Sequence, residues 1–345
     1  MKKRILCTIL SLVVAISLLA GCAKGNSSSS SSATGSETSA AEKGSLKVTF
    51  ITAPGGLGDR SFNDSAWAGV QRAEKELGIK ASLIEPATVA DFGSSIVAAV
   101  NGGANVILGV GATWTDAFDE YCAKFPEVYF GGLNCNSVAD NLMVAKTADH
   151  EGSFLAGALA AMMTKTNTVG AIGGVDGDSI NRFLVGYEEG AKYVKPDIKV
   201  LKSYVGSFKD PAKGKEFSLQ LKNEGADIIY HVAGGTGEGL FEAVKENKDL
   251  YAIGVDSDQD YIAEGKVLTS MIKNCDVVVY DIIKRVQEGK FTPGDVVYDL
   301  ANGGVSLSSM SYTKEIIGEK NIKQLDEISK KIASGEIKVT DLFKK

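Results

Sequence analysis

The sequence predicts an α/β protein of two lobes, each a parallel sheet with helices on both faces. Three observations predict it. From Lys47 onward, short continuous apolar runs alternate with helical patterns, the signature of parallel strands buried between helices. The alternation comes as two series, the second beginning after Asp149, and about 300 residues are ample for two cores. Glycine is abundant (39) and proline scarce (6), and the glycines fall mainly at strand ends, where tight βα turns need them.

In chain order, a leader comes first. Lys2, Lys3 and Arg4 precede an uncharged apolar run from Ile5 to Ala20, closed by Leu19-Ala20-Gly21-Cys22. A run this short with small residues at its end reads as a signal peptide, not a spanning helix. L-A-G-C resembles the lipobox of bacterial lipoproteins, in which the cysteine is diacylated and becomes the new N-terminus. Residues 1–21 are therefore expected to be removed and Cys22 lipidated. Residues 22–45 include six consecutive serines, Ser27 to Ser32, and no aromatic residue. Such a tract cannot bury enough apolar surface to offset its ordering entropy, so a flexible linker spanning roughly 25–30 Å is expected.

Loss of residues 1–21 removes three basic and no acidic residues, taking the formal charge from −6 to −9. An acidic body without basic tracts argues against nucleic acid as a partner. It argues equally against electrostatic adhesion to anionic lipid, which leaves anchoring to the lipid on Cys22. Cys122, Cys135 and Cys275 remain in the body. Their spacing permits a Cys122–Cys135 disulfide; three small buried hydrophobes are the favoured reading.

The body occupies residues 46–345. The first strand is expected at Lys47–Ala53, and a helix at Ser61–Leu77 with Trp67, Val70, Ala73 and Leu77 on one face. Further units begin at Ala81–Glu85, Val106–Gly111 and Val128–Leu133. A helix over Gly152–Met163 opens the second series, with strands near Val169–Gly173, Val200–Val205, Ile228–Val232, Tyr251–Val255 and Val267–Ile272. Lobe 1 is placed at about 46–147 plus 256–295, and lobe 2 at about 148–255 plus 296–345. Ligands of open parallel sheets bind outside the carboxyl ends of the strands, so the residues that follow each strand are the ones to read.

Catalytic templates fail at their first required residue. His150 and His231 are the only histidines, with no metal or nucleophile partner evident, and no G-x-x-x-x-G-K-S/T loop or G-x-S-x-G elbow occurs. Gly235-Thr236-Gly237-Glu238-Gly239 has G-x-G-x-G spacing, which fits close backbone approach to a ligand or an ordinary strand-to-helix turn.

The segment after the first strand is Gly55-Gly56-Leu57-Gly58-Asp59-Arg60-Ser61-Phe62-Asn63. It resembles the G-G-x-x-D-K/R-S-F-N signature of the basic membrane protein family, binding lipoproteins of ABC importers, many of them similar to the purine nucleoside receptor group. The resemblance continues at His150-Glu151-Gly152-Ser153-Phe154-Leu155-Ala156-Gly157, then at Gly206-Ser207-Phe208 with Asp210-Pro211-Ala212-Lys213-Gly214. It resumes at Gly234-Gly235-Thr236-Gly237, Gly254-Val255-Asp256-Ser257-Asp258 and Thr269-Ser270-Met271-Ile272-Lys273. These six motifs, in family order, span nearly the whole body.

The resemblance implies the two-lobed periplasmic-binding-protein type I fold, with several crossovers and a ligand cleft between the lobes. It also implies a substrate-binding protein of an ABC importer, lipid-anchored at the extracytoplasmic face of the cell membrane. That protein captures a purine nucleoside (guanosine, inosine or adenosine) by lobe closure and delivers it to the permease subunits. It is expected to be monomeric and to have no catalytic activity, cofactor or metal. The same fold binding riboflavin or a sugar, or serving as a sensory lipoprotein, is the alternative. A nicotinamide-dependent enzyme is disfavoured by the glycine spacing and the export signal.

The residues then receive roles. Phe62, at a helix start, and Phe208, in a polar loop, are the rings to sandwich a base; locally, Phe62 also fits a hydrophobic staple. Asp256 is placed to accept hydrogen bonds from a ribose cis-diol, or else to serve as a turn or N-cap aspartate. Lys273 is placed to donate to the 5′-hydroxyl, against a solvated strand-end charge. Gly234 and Gly235 bring backbone N–H groups near the sugar. Asp149 is the candidate for N1 and the exocyclic amine of guanine, or else a helix N-cap. Asn63 is a second polar candidate, and Ser61 with Asp64 fits a capping box. Ala53 stands two residues before the G-G pair, where many members carry a polar residue, which leaves room for another base or ligand.

Overall fold

The computed structural model describes residues 45–344; the leader, Cys22 and the linker up to residue 44 lie outside the described residues. The first half of the body runs β1 (Lys47–Ile51), α1 (Phe62–Leu77), β2 (Lys80–Ile84), α2 (Phe92–Asn101), β3 (Val106–Val110), α3 (Thr115–Tyr121), β4 (Tyr129–Leu133), β5 (Leu142–Thr147) and α4 (Asp149–Met163). It continues through β6 (Thr168–Gly173), α5 (Asp178–Val194), β7 (Lys199–Tyr204), α6 (Pro211–Asn223), β8 (Ile228–Val232), α7 (Glu238–Glu246) and β9 (Tyr251–Asp256). The last part comprises β10 (Val267–Lys273), α8 (Cys275–Gln287), β11 (Gly294–Tyr298), β12 (Val305–Leu307), α9 (Lys314–Ile317) and α10 (Glu319–Ala333).

The strands form two six-stranded sheets of matching topology, β11-β5-β4-β3-β1-β2 and β12-β10-β9-β8-β6-β7. All pairings are parallel except β10 with β12. Each sheet is covered on both faces by its own apolar clusters, which is why β3 and β8 are buried along their full length. A fully buried Leu, Ile or Phe in such a layer contributes roughly 1.5–3 kcal/mol.

The predicted two-lobed, doubly covered parallel architecture is the one observed, and the boundary between the lobes is corrected. The sequence places residues 256–295 in lobe 1. Strand β10 instead pairs with β9 in the second sheet, because its apolar run (VLTSMIK) is buried on both faces there. The chain returns to the first lobe only at α8, which packs on α1. Residues 296–298 belong to β11 in the first sheet, so the second lobe resumes at β12.

Three crossovers therefore join the lobes: Ala148, Asn274, and residues 299–304. The first two are tied to the third or to the strand that enters it. The Ala148 N–H donates to Tyr298 O at 2.8 Å, and Asn274 donates from its backbone to Gly304 O at 3.2 Å and from Nδ2 to Gly303 O at 2.6 Å.

Helices α4 and α5 approach closely through glycine. A Cβ at Gly157 would overlap the carbonyl oxygen of Tyr187, and one at Gly190 that of Phe154. Cys122, Cys135 and Cys275 are free and buried, as favoured, with burial pushing the Cys122 thiol up to about 12 and Cys135 to about 11. No described helix is long and apolar enough to cross a membrane.

Candidate functional site

In a doubly wound sheet the ligand crevice lies where the strand order reverses, between β1 and β3 in the first sheet and between β6 and β8 in the second. Phe62, Asn63, Phe208, Gly234 and Gly235 stand there, whereas Asp256 and Lys273 end β9 and β10 and Asp149 opens α4 after β5. Phe62 follows β1, and its ring edge comes within 3.6 Å of where a Cβ would sit on Gly111, which follows β3. In the second sheet, the Phe208 ring rests against Gly174, which follows β6; a Cβ there would collide with the ring. Gly234, after β8, has φ +52, and a Cβ on it would touch Phe208 at 3.7 Å. Phe208 stays 38% exposed, an apolar ring seated on glycine and presented to solvent.

The other glycines of the G-x-G-x-G run serve packing. A Cβ at Gly237 would strike the His231 ring, and one at Gly239 the backbone of Pro211. The strand-to-helix turn is the reading that holds for them. Both histidines are kept neutral: burial pulls His150 and His231 down to about 4. His231 Nε2 pairs with Gln259 Oε1 at 2.9 Å.

The helix start at Phe62 is not closed by a Ser61–Asp64 capping box, since Ser61 makes no side-chain cap bond. Asp59 takes that role, accepting from the backbone N–H of Ser61 (2.9 Å), Asn63 (3.0 Å) and Asp64 (3.2 Å). Asp64 turns back to accept from Gly58 N and Arg60 N, both at 2.8 Å. Ser61 is thereby released, and its hydroxyl donates across the cleft to Asp256 Oδ2. Asn63 is spent locally: Oδ1 accepts from Ala53 N at 2.9 Å and Nδ2 donates to Asp59 Oδ2 at 3.1 Å.

Asp256 ends β9 in the left-handed region, φ +66, with 8% exposure. Burial pushes its carboxyl up to about 6 against the pull of Lys273 and the Ser61 hydroxyl. Lys273 is not a solvated strand-end charge. It is 4% exposed, with Nζ 4.4 Å from the Phe62 ring centroid and 3.4 Å from Asp149 Oδ1. Burial is the largest single influence and lowers its pKa, but the facing charge of Asp149, joined by those of Cys275 and Asp256, outweighs it in sum, so the pKa is raised and the ammonium is held. Asp256 and Lys273 also border a cavity of about 460 Å³ shared with Ser65, Ala68 and Ser308, whose lining does not include either phenylalanine.

Asp149 is not the N-cap of α4; Ala148 holds that position. Its carboxylate is 2% exposed and accepts from Thr147 Oγ1 at 2.6 Å and Asn134 Nδ2 at 3.0 Å, with Arg182 Nη1 at 3.4 Å.

Sequence reading missed the ties between the lobes. The Arg60 carbonyl, on a residue with φ +47, accepts from Ser257 Oγ at 2.8 Å and Gln259 Nε2 at 3.1 Å, and the Arg60 guanidinium meets Glu238 at 3.4 Å. Ser61 and Arg60 sit inside the first motif and Ser257 inside the fifth, so the motifs themselves were the available signal. Arg182, which meets Asp149 and pairs with Asp341, lies in no motif, and neither does Asp341.

A family model of PnrA-like ABC transporter substrate-binding proteins matches residues 46–342. An ABC transporter nucleoside-binding protein, BmpA, of Lactococcus lactis subsp. cremoris is 37% identical over 339 residues, 92% of this chain and 94% of that one. An uncharacterized lipoprotein of Pyrococcus horikoshii is 32% identical, over 91% of this chain and 79% of its own length. Among solved structures, an ABC transporter solute-binding protein of Aeropyrum pernix superposes with a TM-score of 0.81 at 29% identity, covering 86% of this chain and 93% of that one.

Proposed function

The chain belongs to the PnrA-like (Bmp) family of ABC transporter substrate-binding proteins, and from that premise we propose that it is a receptor for purine nucleosides. It is tethered by lipid on Cys22 at the extracytoplasmic face of the membrane. It acts as a monomer, without cofactor, metal or catalysis. It hands its ligand to the permease of an importer.

One observation carries the ligand reading. Two carboxylates, Asp149 and Asp256, are buried near Lys273 at the carboxyl ends of the strands, with the Phe62 ring 4.4 Å and the Phe183 ring 5.3 Å from its ammonium. Buried carboxylates call for hydrogen-bond donors. A purine nucleoside brings them at both ends: N–H groups on the base for Asp149, and the ribose diol for Asp256. Phe62 and Phe208 supply faces for the base, and stacking of this kind is worth roughly 1–3 kcal/mol per base and tolerates different purines. The backbone N–H groups of Gly234 and Gly235 lie toward the sugar, and Lys273 donates to its 5′-hydroxyl. Asn63, with its amide already bonded, orients the Phe62 turn.

Titration calorimetry with guanosine, inosine, adenosine, the free bases and riboflavin tests the reading. Nucleosides are expected to bind more tightly than their free bases, and Asp256→Ala to erase that margin. Binding of riboflavin alone, or of none of the nucleosides, would overturn it.

A further inference from the structure

Arg182 on α5 carries a guanidinium almost wholly shut away from water, at 3% exposure. A buried guanidinium is tolerated only with its charge opposed and its donors filled. The opposing charge comes from far along the chain. Asp341, in the segment that follows α10, accepts from Arg182 Nε at 2.6 Å and Nη2 at 3.1 Å, a bidentate pairing. The Phe343 ring lies 4.7 Å from the guanidinium carbon. The segment is itself tied down: Thr340 N–H donates to Glu189 Oε2 on α5 at 2.9 Å, and Phe343 N–H to Asp341 Oδ1 at 3.1 Å.

With those donors engaged, Arg182 has Nη1 left. It donates to the Thr147 carbonyl, one residue before the first crossover, and reaches Asp149 Oδ2 only at 3.4 Å. Three buried charges and the half-buried Asp341 thus alternate in sign, in the order Asp341, Arg182, Asp149, Lys273. The short contacts of Arg182 go to Asp341 and the long one to Asp149. Asp149 accepts close hydrogen bonds from Thr147 Oγ1 and Asn134 Nδ2, while Arg182 and Lys273 stand off at 3.4 Å, so about two of its roughly four lone-pair sites are open to a closer donor.

We propose that the segment Thr340–Phe343 is a positioning element of the ligand site: Asp341 holds Arg182 back, so that Asp149 can accept hydrogen bonds from the ligand. This rests on the reading of Asp149 as the base-edge acceptor. The specificity it sets favours purines that carry a proton on N1, guanosine and inosine, over adenosine, whose N1 is an acceptor.

Asp341→Asn keeps the shape and removes the charge, and Arg182 then turns its free donors onto Asp149. In calorimetry on the full chain, guanosine and inosine are expected to lose about tenfold in affinity, and adenosine less than about twofold. Asp341→Glu should recover part of the loss. Without any ligand, the Asp149 side-chain carboxyl resonance in a carbon-13 spectrum, assigned by its disappearance in Asp149→Asn, should move in Asp341→Asn. Should that variant fail to fold, Phe343→Ala loosens the same guanidinium at constant charge and is read the same way. An unmoved Asp149 resonance overturns the proposal. So does an equal loss for all three nucleosides with no recovery in Asp341→Glu, the pattern of plain structural damage. Failure of the unaltered protein to bind any nucleoside would sink the nucleoside reading instead, and the carboxyl resonance would still decide this one.

Discussion

Replacing Asp256 with asparagine should stabilise the ligand-free protein, and by an amount that depends on pH. Burial raises the carboxyl from 3.8 to about 6, even with Lys273 and Ser61 pulling the other way. A tenfold change in proton affinity corresponds to about 1.36 kcal/mol, so ionising Asp256 in the folded state costs about 3 kcal/mol, an order-of-magnitude figure. The sign follows from linkage. A carboxyl with a raised folded-state pKa binds its proton more tightly when folded, so its contribution is complete below 3.8 and is lost as pH rises through about 6. Asp256→Asn mimics the protonated form and can still accept from the Ser61 hydroxyl. Urea unfolding at 25 °C should therefore show the variant level with the parent near pH 3.5, ahead of it by about 2–3 kcal/mol at pH 7.5, and climbing between. Equal stabilities at pH 7.5, or a gap independent of pH, would refute the account of a carboxylate held under strain. The same strain serves binding. A ribose diol donating to Asp256 favours the ionised form, so nucleoside uptake near pH 6 should release protons, visible as a dependence of the binding enthalpy on the ionisation enthalpy of the buffer.

Two further outcomes are expected. Phe208→Ala should weaken guanosine, inosine and adenosine together, by about 1–3 kcal/mol, and leave the urea midpoint nearly unchanged because the ring is 38% exposed; a base-selective loss would contradict a stacking role. Gly190→Ala should destabilise the second lobe by about 1–3 kcal/mol, because the added methyl meets the Phe154 carbonyl across the α4–α5 contact; an unchanged urea midpoint would show that the contact is loose.

The parts of the fold that were legible were those whose burial is uniform. Strands such as Val106–Val110 read as continuous apolar runs because both of their faces are covered. Edge strands β11 and β12 carry partly exposed residues and escaped notice. So did β5, although Leu142–Thr147 is nearly all buried, because it runs directly into α4 with only Ala148 between. The lobe boundary failed for a related reason: nothing local marks Asn274, and not Asp256, as the point of return. At the candidate site, the family motifs together with position after strand ends pointed to Phe62, Phe208, Asp256 and Lys273. Local rules misjudged the rest. Ser61 satisfies the capping pattern on paper, yet Asp59 reaches the same N–H groups first. Asp149 satisfies the N-cap pattern, yet its partners are Thr147, Asn134, Arg182 and Lys273. The pairing of Arg182 with Asp341 spans 159 positions and leaves no periodic trace.

The three crossovers act together as a mechanical joint. A single strut between two bodies lets them twist, swing and slide. Three struts laced side by side, as Ala148 to Tyr298 and Asn274 to Gly303 and Gly304 are, stiffen every motion except rotation about the line through them. Any motion of one lobe against the other is then confined, as a door is on its pins, to a single angle. For any partner that touches both lobes at once, that angle becomes one distance to be measured.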